Sequence, residues 1–313
     1  MRDSMQDIQY HECPICNDIE RKLLYCTRDR HYGIEGQWNI TECINCKLVQ
    51  ISPMLTCDEL VKLYPKTFYA YDSNRHNQYY KEMLKKFFFS TLIVKNPVFI
   101  TPGKVLDYGC GTGWSLLKLR NEGWNCVGIE PNENASEIGR SKMRLDIKNG
   151  TIHTVPSFEK DSFDYIRANH SLEHDPDVFL TICEFERIIK PDGKLLIGVP
   201  NINSIPARIF GKYWWYLGAP VHTYNFSTET ITKLCNRCKF EVKSVRYTGN
   251  YTGILGSLQI FLNRKNKRKS MEGFVFNFPP FLLLFQFLAV ILNWCHAGDA
   301  IEIIAEPRKK VNS

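Results

Sequence analysis

The sequence predicts a doubly wound α/β domain with a mostly parallel sheet, preceded by a small cysteine-rich module. Three observations carry this. From Lys104 onward, strand-like and helix-like segments alternate. The first strand runs straight into a turn with three glycines in five positions, Gly109 to Gly113. Before that strand stand two CxxC pairs. A chain of 313 residues has room for one large domain and a small one, and a 44% hydrophobic fraction is normal for a packed protein.

Composition narrows the classes. The net charge of +7 is modest and not gathered in an extended tail. That argues against a dedicated nucleic-acid binder, with no DNA expected, and leaves an anionic substrate or membrane surface open. The opening stretch MRDSMQDIQYHECP has no apolar run, so no secretory signal is expected. The twelve cysteines then read as cytoplasmic thiols and metal ligands rather than a disulfide framework.

In chain order, residues 1–60 form the first unit. Cys13 and Cys16, then Cys43 and Cys46, are two CxxC pairs 26 residues apart. Each pair places two thiolates on one side of a tight turn, and two such knuckles complete a tetrahedral zinc site. With cysteine in all four positions the site is closed and therefore structural, which makes the unit zinc-ribbon-like. Residues 61–103 read as a helical cover. Tyr80, Met83, Leu84, Phe87 and Phe88 within His76–Lys95 have helical spacing, and Tyr69 and Tyr71 just before them read most simply as packing.

Residues 104–313 form the main domain. KVLDY is a buried strand, and Gly113 to Glu122 a helix. NCVGIE is the second strand, followed by a helix from about Asn132 to Lys142. FDYIRAN is a strand, Asp177 to Ile189 a helix, Pro191-Asp192-Gly193 a turn, and KLLIGV a strand. Strands are also expected at Phe240–Tyr247 and Ala300–Ala305, with an apolar insertion at about 251–297 between them. Cys235 and Cys238, ending a helix with no partner pair nearby, read as packing.

Ligands of such sheets bind outside the carboxyl ends of the strands, where the glycine turn sits. A P-loop is excluded, because Trp114 follows Gly113 where Lys is required. The same Trp114 occupies the third-glycine position of the dinucleotide fingerprint, which weakens NAD binding. Glu130, ending the second strand, is placed to accept hydrogen bonds from ribose hydroxyls. That combination suits an adenosine cofactor without a pyrophosphate, with a helix amino end facing a carboxylate.

Asp107-Tyr-Gly-Cys-Gly-Thr-Gly113 with Glu130-Pro131 resembles the class I S-adenosylmethionine (SAM)-dependent methyltransferases. Ser162 to Ile166, Leu172-Glu173-His174 and Ile188 to Gly193 are similar to later signatures of that family, although Asp192 stands where most members have glycine. Val199-Pro200-Asn201 and Pro220-Val221-His222 are similar to a subgroup that methylates sugars in surface-glycan and secondary-metabolite pathways, often behind an amino-terminal zinc module. The resemblance covers about Cys13–Arg246 and Gly298–Glu306. It implies a seven-stranded, Rossmann-like doubly wound sheet and SAM as cofactor.

By that resemblance Gly109, Gly111 and Gly113 line the methionine and ribose portion, and Asp107 orients the turn or meets the cofactor amino group. Glu130 takes the ribose hydroxyls, and Asn169 and His170 border the methyl group. A sulfonium methyl is already activated, so transfer needs placement, exclusion of water and, for a sugar hydroxyl, a general base. His222 is the first candidate, after the aromatic run GKYWWYLGAPVH, whose Tyr213, Trp214 and Trp215 would suit a sugar ring. His174 is the second. The expected acceptor is a sugar or sugar-linked small molecule. Lipid or quinone-type acceptors, RNA, and a non-catalytic cofactor-binding protein are the alternatives. The expected location is cytoplasmic, or peripheral on the inner membrane face. For the latter, RKNKRK (264–269) precedes an apolar run, Phe281–Leu292, too short to span a bilayer.

Overall fold

The computed structural model describes residues 12–63, 101–265, 275 and 279–309. The predicted cover helix His76–Lys95, with Tyr69 and Tyr71, lies outside the described residues.

Strands β1 (Arg21–Thr27), β2 (Trp38–Cys43) and β3 (Val49–Ser52) form an antiparallel sheet, followed by helix α1 (Cys57–Leu63). The main domain then runs β4 (Lys104–Tyr108), α2 (Trp114–Asn121), β5 (Asn125–Glu130), α3 (Glu133–Met143) and β6 (Asp146–Asn149). After these come β7 (Phe163–Asn169), α4 (Val178–Ile188), β8 (Ile189–Pro200) and α5 (Ile205–Phe210). The chain ends with β9 (Tyr224–Asn225), α6 (Thr228–Arg237), β10 (Phe240–Tyr247), α7 (Tyr251–Leu262), α8 (Pro279–Trp294) and β11 (Ala300–Pro307).

Seven strands form the main sheet in the order β10-β11-β8-β7-β4-β5-β6, parallel except at β11, which runs antiparallel between β8 and β10. The order reverses at β4, so the carboxyl ends of β4 and β7 open onto the switch point. The expected doubly wound sheet is therefore present. Helix α4 buries Val178, Ile182 and Phe185 on one stripe against it. On the other face Val105, Trp124, Tyr165 and Leu196 pack together.

The small sheet is completed from the main domain: β9 pairs antiparallel with β3. Cys13, Cys43, Cys46 and Leu48 share one core with Leu106, Phe185, Phe226 and Phe240 of the main domain. Cys235 and Cys238 are buried in that core, the packing role their sequence suggests.

Two local readings are corrected. Pro191-Asp192-Gly193 does not end an element. It bulges inside β8, since Phe163 pairs with Ile189 but Tyr165 with Lys194. Strand β6 gave no apolar run, because only Ile147 of its four residues is buried.

Candidate active site

The site is built on the turn after β4. Gly109, Gly111 and Gly113 all have positive φ, +72°, +57° and +86°. Their surroundings differ. A Cβ on Gly109 would lie 2.5 Å from Ser171 Cβ, and one on Gly113 would lie 2.5 Å from Leu145 Cδ1. A Cβ on Gly111 would meet nothing within 4 Å. The outer two glycines are therefore demanded by the protein's own packing, while the space over Gly111 is open to a ligand.

Glu130, buried at the end of β5, holds the turn in place. Its Oε2 accepts from the Gly111 N–H at 2.8 Å, and its Oε1 accepts from the Asn132 N–H at 2.8 Å. A carboxylate has about four lone-pair sites, so each oxygen retains capacity for a ligand hydroxyl. Burial pushes its pKa up to about 7, with the Asp107 charge adding to the rise and the two backbone hydrogen bonds opposing it.

Asp107 is buried on β4, and both its oxygens accept from Arg167 Nη1 at 3.0 Å. Arg167, on the neighbouring strand β7, was not singled out in the sequence. A charged residue midway along an apolar strand is the signal that points to it.

Beyond β7 the chain turns sharply at His170, a non-glycine residue with φ +55°. A short 3₁₀ segment, Leu172–His174, follows. It brings Glu173, with only 1% of its surface exposed, beneath three imidazoles. His170 Nδ1 is 3.3 Å from Glu173 Oε1. One carboxylate oxygen of Glu173 and one ring nitrogen each of His174 and His222 lie within 4.8 Å of one another. The His174 and His222 rings meet edge to face at 4.6 Å. Thr223 fixes the Glu173 backbone, its N–H donating to the Glu173 carbonyl at 2.7 Å.

The tautomers follow from the acceptors. His174 Nδ1–H donates to the Val221 carbonyl at 2.9 Å, and His222 Nδ1–H donates to the Tyr216 carbonyl at 2.8 Å. A carbonyl can only accept, so the lone pair of each ring sits on Nε2. Burial, together with the neighbouring His174, pushes His222 down to about 3 against the pull of Glu173, so its ring is neutral at physiological pH. Glu173 stays ionised. Burial opposes this, but the His170 hydrogen bond and the charge that the neighbouring imidazoles carry when protonated outweigh it and bring its pKa to about 2. Its Oε2 is buried without a hydrogen-bond partner. Glu173 is the residue the sequence reading undervalued. In the sequence Glu173 has no role beyond the Leu172-Glu173-His174 motif, because the arrival of His222 beside it depends on tertiary structure.

The glycine turn and this cluster adjoin, since Gly109 packs on Ser171. Asn169 Oδ1 instead lies over the Gly198 backbone of β8. Asn201 of the Val-Pro-Asn motif is structural, its Nδ2 donating to the Gly298 carbonyl at 3.0 Å.

The aromatic run is dispersed rather than stacked. Trp214 is buried, and its Nε1–H donates to Asp299 Oδ1 at 2.8 Å. Tyr213 lies under the Arg30 guanidinium, while Trp215 meets His31 edge to face. Trp214 is thus unavailable to a sugar ring, because a buried indole N–H needs a partner and Asp299 supplies it. Tyr216, next to these, stacks toward His170 with ring centroids 6.3 Å apart.

In the amino-terminal sheet the four cysteines converge. Cys13 Sγ lies 3.3 Å from Cys46 Sγ, Cys16 Sγ lies 3.5 Å from Cys43 Sγ, and all four sulfurs lie within 4.8 Å of one another. Four thiolates ~2.3 Å from a zinc ion would sit about 3.8 Å apart, so the set fits that metal.

Comparison with known proteins decides the class. A sequence profile of a methyltransferase domain matches residues 71–245, more than half of the chain. The chain belongs to the methyltransferase-domain family. It is similar to the demethylmenaquinone methyltransferase of Staphylococcus aureus strain MRSA252, with 32% identity over 195 residues, covering 53% of this chain and 78% of that one. It is also similar to the ubiquinone biosynthesis O-methyltransferase of Hahella chejuensis, with 33% identity over 108 residues, 33% of this chain and 45% of that one. Among solved structures, a SAM-dependent methyltransferase of Thermotoga maritima aligns over 74% of this chain and 97% of that one, at 20% identity and a TM-score of 0.47. The protein is a SAM-dependent methyltransferase.

Proposed function

We propose that this methyltransferase acts on a sugar or sugar-linked small molecule. The observation that supports this reading best is the Glu173–His170–His174–His222 cluster beside the glycine turn. A sugar hydroxyl must lose its proton as the methyl group arrives. A neutral imidazole with its lone pair on Nε2 takes that proton, and the ionised Glu173 stabilises the resulting imidazolium. His222, with His174 as its neighbour, fills the base role. Gly111 and Glu130 would hold the cofactor, with the ribose hydroxyls on Glu130. Cys13, Cys16, Cys43 and Cys46 would hold one structural zinc that fixes the small sheet.

The names of the quinone-related relatives favour a second reading, a quinol-type acceptor. A panel of nucleoside-diphosphate sugars and quinols, incubated with SAM and the full chain, separates the two. Mass gain of one methylene unit on a sugar supports the first reading, and gain confined to a quinol overturns it. With the acceptor so found, His222→Asn is expected to lower kcat by about 10²–10⁴-fold, the usual weight of a general base, with SAM affinity retained.

Glu130 supplies a pH test. Only the ionised carboxylate accepts hydrogen bonds from both ribose hydroxyls. With a pKa of about 7, wild-type SAM affinity is expected to rise roughly tenfold from pH 6 to pH 8, relative to Glu130→Gln. The stability sign is opposite: a raised carboxyl favours the fold most at low pH, and that contribution is lost as pH climbs through 7. Calorimetric titrations across pH that run parallel for the two proteins would remove Glu130 from the ribose site.

A further inference from the structure

Helices α7 and α8 are inserted between β10 and β11. The protein side of α8 is well matched. Ala289 and Val290 are buried, Gln286 Oε1 accepts from the Tyr251 N–H, and Asn293 Nδ2 donates to the Gly249 carbonyl. The outward side carries Leu283, Leu284, Phe287, Leu288 and Trp294, whose spacing places them on one face. Leu283, Phe287 and Trp294 are 53%, 54% and 68% exposed. No charged residue occurs anywhere in the helix. An uncharged helix with so wide an apolar face is ordinarily buried, yet among the described residues nothing covers this face.

Charge selects the occupant. The connection from α7 to α8 contains Arg264, Lys265, Lys267, Arg268 and Lys269. It begins beside Phe261 and Leu262, both exposed at the end of α7. Arg264 and Lys265, exposed beside Phe261 and Leu262, set positive charge next to apolar side chains, which matches an anionic headgroup layer over acyl chains. A second copy of the chain would bring its own Arg264 and Lys265 to the same contact. Sixteen residues rise only about 24 Å, short of the roughly 30 Å bilayer core, and no described helix is long and apolar enough to cross a membrane.

We propose that this face docks on an anionic lipid surface, with α8 lying in the headgroup–acyl boundary. Helix α7 links that surface to the active site. Its Gly256 lies against the Trp215 ring, and Ser257 Oγ accepts from the Trp215 N–H at 2.9 Å, within the segment that leads to His222. An acceptor carried on a lipid would then be delivered beside the cluster. That delivery rests on the sugar reading, whereas the docking does not.

The test is sedimentation of the full chain with vesicles of phosphatidylcholine alone or mixed with phosphatidylglycerol. The chain is expected to pellet with the anionic vesicles at low salt, at least tenfold less with neutral ones, and less as salt rises. Phe287→Asp with Leu284→Asp, and separately glutamine at the five basic positions, should each weaken binding at least tenfold while SAM binding shows the fold intact. Equal binding to neutral vesicles, no binding at low salt, or aspartate variants that pellet like wild type would overturn the proposal. A wild-type dimer that Phe287→Asp splits, without vesicle binding, would assign the face to a second copy and also overturn it. None of these outcomes involves a methyl acceptor, so each leaves the sugar reading standing.

Discussion

Gly111→Val abolishes SAM binding in a calorimetric titration of the full chain, while the protein stays folded. The argument rests on the contrast among three glycines. Side chains at 109 and 113 would strike Ser171 and Leu145, so those substitutions damage packing first. At 111 the protein leaves the space empty, and a valine would occupy what the cofactor needs. Its φ of +57° adds about 1–2 kcal/mol of backbone strain for an L-residue, more for a β-branched one. That strain falls on the Gly111 N–H held by Glu130, and so on the turn itself. Gly109→Ala is the control, lowering the melting temperature more than Gly111→Val does. Wild-type affinity in Gly111→Val would refute the assignment of the turn.

Replacing Cys13 by serine is expected to have the largest effect on stability. Structural zinc in small modules contributes on the order of 10 kcal/mol of binding free energy, and removing one thiolate forfeits most of it. The loss spreads, because Cys13, Cys43 and Cys46 belong to the same core as Leu106 and Phe185 of the main domain. Arg237 at the end of α6 also donates to the Pro14 carbonyl, and β9 pairs with β3. The variant should melt far below wild type and contain no zinc by elemental analysis, against one zinc per wild-type chain. Zinc-free wild-type protein with four reactive thiols would contradict the metal site.

The parts legible in sequence were those written in local pattern. The runs KVLDY, NCVGIE and FDYIRAN became β4, β5 and β7 because buried parallel strands need continuous apolar stretches. The glycine turn and each cysteine knuckle were visible for the same reason, since each is complete within a few residues, and Glu130 because it ends the next strand. What depends on distant partners was not. Strand β9 has only two residues and exists because β3 offers an edge. Trp214 looked like a sugar platform until Asp299, 85 residues away, claimed its N–H. Glu173 and His222 are 49 positions apart in sequence, and only the fold places them together.

The most direct test of the account is a crystal structure of the full chain with S-adenosylhomocysteine. The expected complex has the ribose hydroxyls on the Glu130 carboxylate, the cofactor backbone over Gly111, and the sulfur facing the Glu173–His222 cluster. A cofactor bound elsewhere, or one whose sulfur points away from that cluster, would contradict it.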